Sequence, residues 1–301
     1  MASGDTNIWV GGDTAGPNDP ANDGNWALAT APADGEHVVV PAGIADGNQI
    51  GGGDLTVEGA GTNALLLASL TVEEGYDLTV GESDDYLMID ADQVVFAGTG
   101  EGYLNVANAE RIVIAKAGTA AAAGQQMLYL KGPTNALLDI QAGSGEKIGL
   151  AGLAGETASF TTINISGGDV FIGEGVTCTT LNIYGGVVEN AADIATINVY
   201  GGVLDNVGDC SGTITLRGGV MYYRGVGTTP NVYVTGDGTL DMSLDTQARR
   251  FGTTEIHQGA GFRDPWATVT YTNEIQLRHC GVGDVTLDFG DHIKFKPQTI
   301  S

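Results

Sequence analysis

Between Thr162 and Asp241 the chain alternates apolar and polar positions in one short phrase, written five times. The phrase reads Ile163-Asn164-Ile165-Ser166-Gly167-Gly168, Leu181-Asn182-Ile183-Tyr184-Gly185-Gly186 and Ile197-Asn198-Val199-Tyr200-Gly201-Gly202. Ile214-Thr215-Leu216-Arg217-Gly218-Gly219 follows, and Val232-Tyr233-Val234-Thr235-Gly236-Asp237 is a looser last copy. In each copy the aliphatics fall on every second residue, so they share one face of a strand and the polar residue takes the other. The glycines mark a corner, where the backbone turns sharply or takes a positive φ. A second short apolar pair comes next, as in Val187-Val188, Val203-Leu204 and Val220-Met221. The first glycines stand 18, 16, 17 and 18 residues apart. Repeats at so steady a period, made of short strands and tight corners, indicate a solenoid.

The pattern predicts an all-β fold, a parallel β-solenoid (β-helix) with an irregular N-terminal arm and a C-terminal β cap. One coil cannot bury its own apolar side, so stability must come from neighbours stacked about 4.8 Å apart. Stacking turns the copies into columns. Ile163, Leu181, Ile197, Ile214 and Val232 should pile up inside, as should Ile165, Ile183, Val199, Leu216 and Val234. Outside, Asn164, Asn182 and Asn198 should form an amide ladder and Tyr184 and Tyr200 an aromatic one, with Arg217 placed for a cation–π contact. Asn190 and Asn206, each five residues after its first glycine, should form a stacked turn ladder.

Four stretches of one continuous domain follow from the spacing. Residues 1–50, rich in Gly, Asp, Asn and Pro, read as an irregular arm or cap. It leads into a first strand at His37–Val40, with Trp9 and Trp26 covering the open end or reaching a neighbouring subunit. Residues 51–155 carry the same ingredients at uneven spacing, in Leu55-Thr56-Val57, Leu70-Thr71-Val72, Leu78-Thr79-Val80, Leu104-Asn105-Val106, Ile112-Val113-Ile114, Met127–Leu130 and Leu137–Ile140. The run Ala117–Gln126 reads as an excursion between rungs. Residues 156–245 hold the regular repeats. Residues 246–301 read as a cap, with final strands at Ile275–Leu277, Val285–Phe289 and Ile293–Lys296.

Composition sharpens this reading. Of 301 residues 48 are Gly, without a collagen period, and 42% are hydrophobic, too many for a disordered chain. The 37 acidic and 12 basic residues give a net charge of −25. No Lys or Arg precedes Arg111, whereas eight of the twelve lie from Arg217 onward. Such a surface repels phosphate backbones and anionic membranes, so neither nucleic acid nor membrane is an expected partner. The more basic C-terminal part is a candidate contact for the acidic N-terminal part of another copy. Met1–Asp5 show no basic or apolar leader pattern, which predicts a chain without a secretory signal. Cys178, Cys210 and Cys280 are an odd number, and the first two fall two rungs apart, beyond disulfide reach. They are expected to be free thiols.

Candidate chemistry is sparse. Glu189 and Asp205 occupy the same column on adjacent rungs, about 5 Å apart, the separation of a retaining glycosidase pair. Any two acids in one column share that spacing, so a stacked surface pair is the simpler reading. Asp19-Pro20-Ala21-Asn22-Asp23-Gly24, near Asp13, partly echoes a calcium loop, but Thr30 stands where the bidentate Glu belongs. His37, His257, His279 and His292 form no ligand-spaced set, and His279-Cys280 is a weak nucleophile–base pair. Gly143–Lys147 lacks P-loop spacing. Asn164-Ile165-Ser166 matches a glycosylation sequon inside a strand, and a single Thr column is too little for an ice-binding face. No catalytic residue, metal or cofactor is expected.

The strand–Gly-Gly–strand rungs from Thr162 to Asp241, the absent secretion pattern and the acidic Gly-rich composition resemble the β-helical structural proteins of tailed bacteriophages. The resemblance implies assembly on a virion, inside the host cytoplasm, as a homo-oligomer, often a trimer. The expected function is a non-enzymatic capsid decoration or cement protein whose main partner is the major capsid protein. A tail-associated receptor-binding or adhesion protein is the alternative, and a polysaccharide-degrading enzyme a third.

Overall fold

The computed structural model describes residues 4–55, 66–119, 125–278 and 283–291. The chain is all-β and winds a parallel β-solenoid of about ten turns. Its one described helical piece is the 3₁₀ turn Asp23–Asn25. The chain divides into two compact units. One comprises Met1–Thr179 with Gly186–Val188, and the other Thr180–Gly185 with Glu189–Ser301.

In the first unit each coil after the outermost one sends one strand to each of two parallel sheets. Thr6–Ile8, His37–Val40, Leu67–Val72, Arg111–Ile114, Ala136–Ile140 and Ala158–Ile165 belong to one sheet. Gly53–Asp54, Gly102–Ala107, Leu128–Lys131, Lys147–Leu150 and Asp169–Ile172 belong to the other. The ten-residue strand Leu87–Phe96 rounds the corner and serves both. Register produces two buried columns. Val38, Leu70, Val94, Ile112, Leu138 and Ile163 form one, and Val40, Val72, Phe96, Ile114, Ile140 and Ile165 the other. The described strands of residues 51–155, uneven in sequence, are therefore as regular in register as the Gly-Gly repeats.

In the second unit Ile197 pairs with Ile214 and Ile214 with Val232, while Val199, Leu216, Val234 and Ile256 form the parallel column. All of these are 0% exposed. Burying such a side chain contributes about 1.5–3 kcal/mol, so the columns carry most of the favourable free energy of each coil.

Three expectations need correction. The first strand is Thr6–Ile8, not His37–Val40, because the arm itself supplies a rung in register with His37, Val38 and Val39. Asn25–Ala27 crosses the far edge of that rung in the antiparallel sense, with Val10 N donating to Asn25 O and Ala27 N to Ile8 O. Beneath it Trp9 and Trp26 are buried edge to face, 5.1 Å apart. Leu78–Val80 is no strand. Val80 makes one isolated bridge to Gly102, since the positive-φ residues Gly75 and Gly81 close turns on either side. Residues 246–278 are no mere cap, because Arg249–His257 and Gly261–Arg263 continue both sheets in parallel. There Phe251 and Phe262, each 0% exposed, fill the interior beside Ile256. Thr56-Val57, residues 120–124 of the expected excursion, His279-Cys280, His292 and Ile293–Lys296 lie outside the described residues.

One buried phenol gives the first unit a sensitivity to alkali. Tyr76 is 1% exposed; its hydroxyl accepts from Ile50 N at 3.3 Å and donates to Thr79 O at 3.1 Å. Burial, only partly offset by the Ile50 hydrogen bond, pushes its pKa from 10.0 up to about 12. The fold thus favours the neutral phenol. Its contribution is whole below pH 10 and is lost as pH rises from 10 through about 12, a span worth about 2–3 kcal/mol. Tyr76→Phe should lose less stability than the parent across that window. Urea midpoints measured at successive pH values check this, and parallel losses in the two proteins would remove the assignment.

Candidate functional site

The outward side chains of the repeats are spent on one another. In the second unit Asn198 Nδ2 donates to Asn182 Oδ1 at 2.9 Å. Tyr184 and Tyr200 stack with ring centroids 4.9 Å apart and planes 8° from parallel, and the Arg217 guanidinium lies 5.6 Å from the Tyr200 centroid. Both rings remain exposed, at 51% and 38%. In the first unit Asn164, the sequon residue, donates to Asp139 Oδ1 at 2.8 Å. Asn190 and Asn206 behave differently. Both are 0% exposed and point inward, where Asn190 Nδ2 donates to Asn206 Oδ1 at 2.8 Å and to Ala192 O at 2.8 Å. Asn206 Nδ2 in turn donates to Gly208 O.

The paired glycines have two separate reasons. Gly168, Gly186, Gly202 and Gly219, second in each pair, sit at φ of 86°, 85°, 76° and 70°, where a Cβ is strained. Gly167, Gly201 and Gly218, first in each pair, lie under a carbonyl of the preceding coil. A Cβ there would stand 2.4, 2.7 and 2.5 Å from the oxygens of Ala142, Tyr184 and Tyr200.

Of the acid pair, one member is ion-paired. Asp205 is gripped by both guanidinium arms of Arg224, whose Nε lies 2.8 Å from Oδ1, while Glu189 is exposed on its strand. That bidentate clamp makes Asp205 a strut. Eight of the ten described Lys and Arg side chains are ion-paired within their own unit, among them Arg249, Arg263 and Arg278 near the C-terminal end. Local acids therefore already occupy most of the basic charge expected to meet another copy.

In the arm, Asp13 Oδ1 accepts from Ala15 N and Asn22 Nδ2, Asp19 Oδ1 from Ala21 N, and Asn25 Nδ2 reaches Gly16 O. These contacts shape turns. Among the described residues no group of three or more His, Cys, Asp or Glu is placed to hold a metal. His37 shares a hydrogen bond with Ser69, and His257 lies 3.7 Å from Glu255. Cys178 and Cys210 are buried and in no disulfide, and burial pushes the Cys210 pKa up. Gly143 N donates to its own turn's Glu146, and Lys147 pairs with Asp169. No helix among the described residues is long and apolar enough to cross a membrane.

A recess lies on the outer face of the first unit. Strand residues Asn105 and Lys131 sit side by side in register. The loop 151–157 and Ser83 wall them in, leaving a depression of about 510 Å³ lined also by Tyr86, Leu153, Glu156 and Thr157. The Lys131 ammonium stands 3.5 Å above the Tyr86 ring centre and 3.5 Å from Glu156 Oε1. Glu156 Oε2 accepts from Leu153 N at 3.0 Å, so the same carboxylate folds the loop. Tyr86, Tyr103 and Tyr129 continue behind it as a ladder, edge to face at 5.4 Å and then stacked at 5.0 Å. Burial, then the nearby Glu156 carboxylate, raises the Tyr86 phenol above its ordinary range. Sequence reasoning missed this site, although one signal was present. The dipeptide Tyr-Leu occurs at Tyr86-Leu87, Tyr103-Leu104 and Tyr129-Leu130, and the three leucines are register partners.

No protein-family model, curated protein or solved structure matches the chain.

Proposed function

We propose that the chain is a non-enzymatic structural protein of a phage virion, a decoration or cement protein that bridges neighbouring copies of the major capsid protein. One observation carries this reading. Along both units the strand faces that point outward are tied, coil to coil, by amide, aromatic and ion-pair contacts, which makes each coil stack stiff. Stiff acidic coil stacks are suited to bridge other proteins through buried contact area, and their charge repels nucleic acid and anionic lipid. Several copies, a trimer being the expected grouping, would meet the symmetry of a shell.

The test adds purified protein to capsids that lack it and counts the copies bound at saturation. The reading expects a saturable stoichiometry that follows the lattice, together with greater resistance of the shell to heat. Failure to bind, or binding without saturation, overturns it.

A tail-associated adhesion role is the second reading. The exposed Tyr184–Tyr200 stack favours it, since open aromatic faces suit the C–H face of a sugar. Retention on host cells without product formation would support adhesion over decoration. The Arg224 clamp on Asp205 weighs against a polysaccharide-cleaving pair.

A further inference from the structure

Four consecutive coils of the second unit each carry one large apolar side chain out into solvent at the same corner. Val207 follows the strand Val203–Asn206, Val226 follows Val220–Tyr223, Leu244 follows Thr239–Asp241 and Trp266 follows Gly261–Arg263. These strands pair in parallel register, each with the next. The four side chains belong to residues that are 43, 49, 57 and 53% exposed. Trp266 is held in place, its indole N–H donating to Ser243 O at 2.9 Å, so the ring is fixed against the loop that carries Leu244. An ordered, exposed tryptophan within an apolar stripe is the make-up of an interface centre.

Charge and spacing select the occupant. The corner segments 207–209, 224–227, 242–248 and 264–268 contain four charged residues, each already engaged within the chain. Asp209 accepts from Val226 N and Gly227 N at 2.7 and 2.8 Å. Asp245 pairs with Arg249, and Arg224 with Asp205. Asp264, 1% exposed, accepts from Thr268 N and Val269 N. A second copy, which a net charge of −25 would otherwise hold off, meets little unanswered charge here. Spacing points the same way. One apolar side chain per coil repeats at the coil rise, about 4.8 Å. Another copy presents that period by construction, so two stripes can interdigitate along their length, whereas an unrelated surface shares it only by accident.

We propose that this stripe is the surface through which copies of the chain associate, with Leu244 and Trp266 as its anchors and Val226 and Val207 extending it. The contact supplies the grouping of copies that the decoration reading calls for, and it rests on that reading. No capsid enters its test, so a failure here and a failure to bind capsids are separate results.

Sedimentation equilibrium of the full chain, from about 0.01 to about 1 M salt, tests it. Over that span the screening length falls from about 30 to about 3 Å, so repulsion between acidic copies fades while apolar contact persists. Association should therefore strengthen with salt, the reverse of a contact between a basic end and an acidic one. Acrylamide quenching gives a second readout. Trp9 and Trp26 are 0 and 2% exposed, so of the three tryptophans Trp266 alone is open to the quencher. Its quenching should drop as copies associate. Leu244→Asp should weaken association about tenfold or more, by setting a carboxylate into the apolar contact. Tyr200→Ala should leave association unchanged. Circular dichroism melts of each variant separate lost association from lost fold. A chain that stays monomeric at every salt concentration, or association that weakens with salt, would overturn the proposal. So would unchanged Trp266 quenching on association, undiminished association of a folded Leu244→Asp protein, or an equal loss on Tyr200→Ala.

Discussion

Arg249→Met should lower the free energy of unfolding by about 3–5 kcal/mol, the usual cost of breaking a buried ion pair from one side. The Arg249 side chain is 0% exposed, yet every part of its guanidinium is spoken for. Nη2 meets Asp245 Oδ2 at 2.9 Å and Gln247 O at 3.0 Å, and Nη1 donates to Tyr223 O. Nε reaches Gln247 O at 3.3 Å, and the guanidinium lies 5.8 Å from the Tyr223 ring centre. Methionine fills much of the volume but answers none of these acceptors. Two carbonyls and the Asp245 carboxylate, 15% exposed, would then lose a charged donor. Arg249→Lys should recover only part of the loss, because a point ammonium cannot serve three directions at once. Urea titrations read the effect as a lower midpoint at unchanged slope. A shift under about 1 kcal/mol would mean that water replaces the arginine.

The second large effect belongs to the inward amides. Asn206→Leu should cost about 2–5 kcal/mol, since it strands two buried groups, the Asn190 Nδ2 proton and the Gly208 carbonyl. Asn190→Leu should cost a similar amount through Ala192, whose N–H and C=O both bond the Asn190 amide. The double variant removes the shared bond from both sides, so its cost should fall short of the sum by about 1 kcal/mol or more. Additive losses would show that each amide serves only its own turn. The outward pair Asn182 and Asn198 offers a contrast. There a lost rung bond is open to replacement by water, and the corresponding change should stay near 1 kcal/mol.

These contrasts separate what the amino-acid order discloses from what it hides. Ile197-Asn198-Val199 and its copies announce a strand, a buried side and a coil length, and register then builds the columns those residues imply. Thr6-Asn7-Ile8 gives no such notice. Three residues make too short an alternation to read, and the rung exists because His37–Val39 accepts it on one edge and Asn25–Ala27 on the other. Beyond residue 246 Phe251 and Phe262 join Ile256 in the interior, breaking a template written in Ile, Leu and Val while obeying the same two-residue rhythm. The recess was the hardest to foresee. Its groups come from Ser83, Asn105, Lys131 and the loop 151–157, far apart along the chain, and only register brings Asn105 beside Lys131.

The backward run of Asn25–Ala27 over the outermost rung bears on whether copies of this chain can polymerise. A stack of parallel rungs is, at a bare end, a template on which a further chain can add without limit. Here the N–H of Val10 and the carbonyl of Ile8, the groups a newcomer would need, are already engaged by a segment running the wrong way. Filament growth from that end is blocked by direction rather than by charge, and high salt, which screens the −25 net charge, should not release it.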